Sequence, residues 1–322
     1  MEGAEGWKVA VLGGGGVIGS SWATNFLWRD LPVNVYDIHN DCLQTARKRI
    51  EANLDFLVNK GVLNPDEKEG ALGRASYTTC LEEALSGVDF VQEAAPDDFE
   101  VKRDLLAEVD RYASPDAIFA SSTSGLFITE IAADSAFPER CIVAHPYNPA
   151  HLIPLVEIGK GRETSEETVQ KTCDFFHSIG KAPIVLRKEA FGFIANRLAA
   201  ALYREAVDLV MCGACSLEDV DKAISLGPGI RYFLTGPNLG YHLNGGMHGI
   251  RGLLTRIGPA VEWWWEDMAT WYKWPTGWMD KAHEEVLQAI EKRDPSTGRT
   301  PEEISRWRDD GLLMILRYIN RI

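Results

Sequence analysis

The sequence predicts the α/β class, with a doubly wound, mainly parallel sheet first and an all-helical C-terminal part after it. Three observations carry that expectation. Short β-branched runs alternate with longer helical stretches through the first half, the pattern of parallel strands joined by crossover helices. A glycine-rich turn follows the first of these runs directly. Beyond Leu186 the strand signals stop and helical periodicity takes over.

Taken in order, the strand candidates begin at Trp7-Lys8-Val9-Ala10-Val11-Leu12 and continue at Val33–Tyr36, Val88–Val91, Ala117–Ala120, Cys141–Ala144, Leu155–Ile158 and Ile184–Leu186. The helix between the last two opens with Thr164 and Glu167 at capping-box spacing, and Gly180 stands where its C-terminal cap would fall. Ile194 to Met211 starts the helical part, and a Gly- and Pro-bearing stretch from Gly227 to Gly249 breaks it. The last helix places Leu312, Ile315, Leu316 and Ile319 on one face. The boundary is therefore expected near Lys188, dividing the chain into domains 1–188 and 189–322.

The chain of 322 residues, 45% of them apolar, is long enough to bury a core and to divide in two. Its 33 basic and 47 acidic residues give a net charge of −14 with no basic block, which excludes a phosphate-backbone binder. No run approaches the roughly 18 to 20 apolar residues of a spanning helix, and Met1 to Lys8 carries no apolar leader, so a cytoplasmic protein is expected. The six cysteines are scattered and expected to be reduced. Only Cys212 and Cys215 form a CxxC pair. Without a second pair or a His at metal spacing they read as core thiols on a helix, and no metal is expected.

The glycine turn is Gly13-Gly14-Gly15-Gly16-Val17-Ile18-Gly19, which contains GxGxxG as Gly14, Gly16 and Gly19. Ile18, Trp22 and Phe26 then recur at helical spacing, so the turn joins a strand to a helix N-terminus, whose free N–H groups suit a pyrophosphate. Gly14 is expected to permit the tight turn, Gly16 to let backbone approach the phosphates, and Gly19 to let the helix lie close. Asp37 ends the next strand, 18 residues beyond Gly19, where a carboxylate accepts bonds from the adenosine ribose and repels a 2′-phosphate. The expectation is a Rossmann-like domain binding NAD rather than NADP.

His145 and Glu157 fall twelve residues apart at a strand end and on the strand that follows, and Ser121-Ser122-Thr123-Ser124 closes another strand. Ligands of open α/β sheets bind beyond the carboxyl ends of the strands, where these groups lie. Oxidising a secondary alcohol needs a base to take the hydroxyl proton as hydride leaves carbon, and imidazole suits that task.

Together, the glycine turn, Gln92-Glu93, Ser122-Thr123-Ser124, His145-Pro146-Tyr147-Asn148-Pro149, Leu155-Val156-Glu157 and Gly192-Phe193-Ile194-Ala195-Asn196-Arg197 resemble the 3-hydroxyacyl-CoA dehydrogenase superfamily. Within it, Val17–Ala23, Cys141–Pro146, Gly229-Ile230-Arg231-Tyr232 and Trp307-Arg308-Asp309 look closer to the L-gulonate 3-dehydrogenase (lambda-crystallin) branch. The resemblance implies NAD-dependent oxidation of a 3-hydroxyl, with Ser124, His145, Glu157 and Asn196 as the catalytic set. It also implies cofactor contacts from Val17, Ile18, Asp37, Glu93 and Ser122 beside the glycines, and a homodimer paired through the helical domains. A crystallin-type structural role is the non-enzymatic alternative.

Arg231, within the Gly227–Gly249 stretch, is the expected partner of a free substrate carboxylate, favouring a small 3-hydroxy acid over a thioester. Ser124 and Asn196 would position the substrate hydroxyl. Six of the ten tryptophans fall between Trp263 and Trp278, a departure from the L-gulonate branch. They read as subunit interface, as helical core, or as a cage for the quaternary ammonium that substrates of the related L-carnitine dehydrogenases carry.

Overall fold

The computed structural model describes residues 6–322, so part of the leading segment read above lies outside the described residues. Among the described residues eight strands form one sheet: β1 (Val9–Leu12), β2 (Val33–Tyr36), β3 (Ala75–Thr78), β4 (Phe90–Glu93), β5 (Ile118–Ser121), β6 (Cys141–Pro146), β7 (Leu155–Lys160) and β8 (Ala182–Leu186). Their order is β3-β2-β1-β4-β5-β6-β7-β8. All neighbours are parallel except β6 and β7. Strand order reverses at β1, which has β2 on one side and β4 on the other, and this opens a crevice at the carboxyl ends. The short link 147–154 can join only antiparallel neighbours, and the resulting register sets His145 opposite Glu157.

Two differences from the expected strands have physical causes. β3 carries Ala-Ser-Tyr-Thr at the sheet edge, with no apolar run to announce it. β4 and β5 run on to Glu93 and Ser121, polar residues that are buried because they bond to one another. One face of the sheet is filled by Trp22, Phe26, Phe90, Phe175 and Phe176, stacked, tilted or edge-on with centroids 4.4–5.8 Å apart. Burying each such ring is worth about 1.5–3 kcal/mol. The other face packs Leu12, Leu106, Val109, Phe119 and Val143.

Helix Glu166–Ser178 is capped by Ser165, whose hydroxyl accepts the Thr168 N–H, and not by the expected Thr164–Glu167 box. Thr164 spends its hydroxyl on the Cys141 carbonyl, and Glu167 pairs with Lys171. Gly180 follows the helix in the left-handed region, as its position suggested. In helix Pro301–Tyr318 the residues buried in the first core are Leu313 and Leu316, with Leu312 partly buried beside them, while Ile319 is exposed.

The chain separates into two compact units, one comprising the described residues to Arg197 with Arg308–Ile322, the other Leu198–Trp307. The last fifteen residues group with the sheet because Leu313 and Leu316 are buried in its core. In the second unit the expected break contracts: Pro228–Asn244 is helical, with Pro228 in the first turn, and the chain kinks at Gly236, where φ is 66°. The core of this unit is small, built on Val207, Val210 and Trp278, against which Trp271 packs while its Nε1 donates to Asp208 Oδ1 at 2.9 Å. Trp263, Trp264 and Trp265, in helix Gly249–Asp267, are 59–70% exposed. Cys212 and Cys215 lie after helix Ala195–Met211, which ends at left-handed Gly213, so neither is a thiol within a helix. Cys212 is exposed and Cys215 packs against the small core. No helix among the described residues is long and apolar enough to cross a membrane.

Candidate active site

The glycine turn leaves β1 and enters helix Val17–Trp28 with Gly16 as N-cap. The tight turn is made by Gly13, at φ 83°, and not by Gly14, whose role is contact: a Cβ there would lie 2.3 Å from Val35 Cγ1. A Cβ on Gly16 would meet only the Gly13 carbonyl within 4 Å, so this glycine keeps the mouth of the turn open. Asp37, at the end of β2, accepts the Gly15 N–H at 2.8 Å and the Ile38 N–H at 2.9 Å, which leaves lone pairs on each oxygen for ribose hydroxyls. A cleft of about 920 Å³ runs past Gly13, Gly16, Asp37, Ala95 and Leu105. A helix N-terminus, an open glycine and a carboxylate with free lone pairs along one cleft fit the dinucleotide NAD. Val17 is the exposed first residue of the helix, while Ile18 reaches the neighbouring cleft.

That second cleft, of about 520 Å³, is lined by Ile18, Asp97, Ser122, Ser124, His145 and Asn196 among others. His145 Nδ1 and Glu157 Oε2 are 2.9 Å apart, and Glu157 is fully buried. The other Glu157 oxygen accepts the N–H groups of Ile194 and Ala195 at 2.8 and 3.0 Å, at the start of helix Ala195–Met211. Burial by itself would raise the Glu157 carboxyl. The hydrogen bonds from His145, Ala195 and Ile194 outweigh it and hold the group below the usual carboxylate range. An acceptor-only carboxylate places the imidazole proton on Nδ1 and leaves Nε2 with its lone pair.

Ser124 donates both its N–H and its hydroxyl to Asp97 Oδ2, at 2.9 and 2.6 Å, and its carbonyl accepts Asn196 Nδ2 at 3.2 Å. Ser122 Oγ accepts Gln92 Nε2 at 2.8 Å and Trp22 Nε1 at 3.2 Å. Glu93, expected to touch the cofactor, is fully buried and lines neither cleft. Its oxygens take Lys102 Nζ at 2.7 Å, the Ala95 N–H and the Ser121 hydroxyl, so it shapes the cleft walls through its neighbours. Arg231 belongs to the second unit, exposed on helix Pro228–Asn244, and forms no ion pair with a described residue.

Sequence reasoning missed Asp97, Lys102 and the buried polar groups that hold the link between the two members of the dyad. Ser21 Oγ bonds His151 at both its N–H (3.0 Å) and Nδ1 (2.8 Å), and Lys181 Nζ donates to the carbonyls of Ala150 and Ile153. Alternating charge and apolar letters give no sign of such burial. Burial, then the charges of Lys181 and Arg308, push His151 down to about 3. Burial, then the Arg29 charge, push Lys181 down to about 7. Because the unfolded chain holds the lysine proton up to about pH 10.5, the folded state binds fewer protons between these values, and Lys181 makes stability rise with pH from about 7 to about 10. Thermal unfolding of Lys181→Met across that range should show a flatter rise than wild type; equal slopes would refute the shift.

Profiles of two domains match the chain: the NAD-binding domain of 3-hydroxyacyl-CoA dehydrogenase over residues 8–190 and its C-terminal domain over residues 192–293. The chain belongs to the 3-hydroxyacyl-CoA dehydrogenase family, and it is an NAD-dependent oxidoreductase acting on CH–OH groups. An L-carnitine dehydrogenase of Pseudomonas sp. is 38% identical over 95% of this chain and 92% of its own, and that of Oceanobacillus iheyensis is 36% identical over 97% and 98%. Among solved structures, the NAD+-dependent 5-formyl-3-hydroxy-2-methylpyridine-4-carboxylic acid 5-dehydrogenase superposes with a TM-score of 0.79, at 28% identity, over 97% of this chain and 96% of that one. The 3-hydroxybutyryl-CoA dehydrogenase of Escherichia coli gives 0.64, at 34% identity, over 68% and 46%. The expected leaning toward the L-gulonate branch is thereby corrected: the relatives that match along almost the whole chain are L-carnitine dehydrogenases.

Proposed function

We propose that this protein oxidises the 3-hydroxyl of a small 3-hydroxy acid bearing a quaternary ammonium group, of the L-carnitine class, to the 3-keto acid. The observation that carries this reading is identity to L-carnitine dehydrogenases along almost the full length of both chains, in a protein whose His145–Glu157 pair is intact. Bound NAD supplies the hydride acceptor. His145 Nε2 takes the hydroxyl proton, and Glu157, ionised and buried, stabilises the imidazolium that results. Asn196 keeps one amide hydrogen beyond its bond to Ser124 and donates it to the substrate oxygen, while Ser124 orients the same oxygen. Arg231, exposed and unpaired among the described residues, is the proposed carboxylate partner. Two copies are proposed to pair through the helical unit, which exposes Leu198, Leu202, Phe233, Leu234 and Trp263.

The test is reduction of NAD by L-carnitine, L-gulonate, 3-hydroxybutyrate and 3-hydroxybutyryl-CoA under one set of conditions. L-Carnitine should give the highest kcat/KM. Turnover of the thioester with L-carnitine inert would overturn the reading.

A further inference from the structure

Among the described residues, those lining the 520 Å³ cleft include no lysine or arginine, and Asp97 is their one carboxylate. Its charge is not cancelled by its surroundings. Lys102 Nζ lies 3.4 Å from Asp97 Oδ1 but 2.7 Å from Glu93 Oε1, and both Lys102 and Glu93 are removed from solvent, whereas the Asp97 side chain is 39% exposed. One ammonium thus serves two carboxylates, and the surplus negative charge falls on the member that faces the cleft. Burial alone would raise the Asp97 carboxyl, but hydrogen bonds from Ser124 and Thr123 and the Lys102 charge outweigh it and hold the group below its usual range, so it is ionised at neutral pH. The walls beside it are Ile18, Ala94, Ala95 and Pro146, apolar surfaces that screen a charge less than water does.

We propose that Asp97 is a specificity-determining residue that selects for positive charge in what this cleft holds, a cationic nitrogen with no N–H to donate. Two groups share that chemistry: the pyridinium ring of oxidised NAD, and the quaternary ammonium of the substrate. The second source rests on the L-carnitine reading, and the first does not. In either case recognition is by charge and not by a hydrogen bond, which suits a carboxylate whose Oδ2 already accepts two donors from Ser124.

Asp97→Asn removes the charge and keeps an amide oxygen to accept the Ser124 bonds; Asp97→Ser is the second variant should the first fold poorly. Two ratios are measured on each. The first is the Kd of NAD+ over that of NADH, by fluorescence titration and competition. The second is kcat/KM for L-carnitine over its neutral carbon isostere, 3-hydroxy-5,5-dimethylhexanoate. Loss of a facing charge should change the affected ratio by about tenfold against the cation. A change in the first assigns Asp97 to the cofactor ring, and a change in the second assigns it to the substrate. Both ratios unchanged in a variant that melts as a folded protein would overturn the proposal. If wild type oxidises no quaternary ammonium substrate, the L-carnitine reading falls by itself, and the cofactor ratio alone then decides for or against Asp97.

Discussion

His145→Ala is expected to lower kcat by about 10²-fold or more while leaving NADH affinity nearly unchanged. His145 lies next to last in β6 with its ring in the cleft and its Nδ1 on Glu157, and it lines the 520 Å³ cleft and not the 920 Å³ cleft along the glycine turn. Removing the imidazole therefore removes the proton acceptor but none of the residues lining the larger cleft. The fold should survive, because Glu157 keeps its two bonds from the helix N-terminus. Glu157→Gln should lower kcat as well, since an amide cannot stabilise an imidazolium as a carboxylate does. The measurements are NADH formation by absorbance and NADH binding by fluorescence. Wild-type turnover by His145→Ala would show that the proton leaves by another route.

Gly19→Ala should abolish dinucleotide binding, with a loss of about 10²-fold or more in NADH affinity, by a steric route and not a chemical one. A Cβ at this position would lie 2.2 Å from the Gly13 carbonyl oxygen and 3.0 Å from Gly14 Cα, both backbone atoms of the phosphate-binding turn. No side chain can swing aside to admit it. The helix must move off the turn, or the turn must open, and either displaces the N–H groups that would meet the pyrophosphate. Overpacking of this kind costs about 1–3 kcal/mol, so the melting temperature should fall with the affinity. Gly73→Ala is the control, because nothing lies within 4 Å of a Cβ there and its backbone is not left-handed. NADH titration and thermal unfolding of both variants decide the matter. Wild-type NADH affinity in Gly19→Ala would contradict the close approach of turn and helix.

Several features could be read directly from the chain because they are local. The glycine turn between Leu12 and Val17, the acid at Asp37 and strands β1, β2, β4, β5 and β6 follow from residue spacing over a few positions. The dyad was legible for a related reason. His145 and Glu157 sit on sequence-adjacent antiparallel strands, so their separation of twelve residues already encodes the register that joins them.

What the spacing could not show is which polar groups would be buried, and with what. Glu93 sits on β4, Lys102 on the helix after it and Ser121 on β5, so only the finished sheet removes all three from water and makes Glu93 the partner of the other two. The same holds for Asp97, whose part in the site comes from Ser124, 27 residues away. Lys181 likewise reaches carbonyls 28 and 31 residues before it. By itself the sequence determined the class and the NAD-binding turn, because each follows from local periodicity or from one turn's chemistry. Only the tertiary structure decided that Gly13 and not Gly14 turns the chain, that Glu93 supports the cleft without entering it, and that Asp97 is the charge the cleft displays. The first depends on how closely turn and strand pack and the other two on desolvation, and both are properties of the packed molecule rather than of any segment of it.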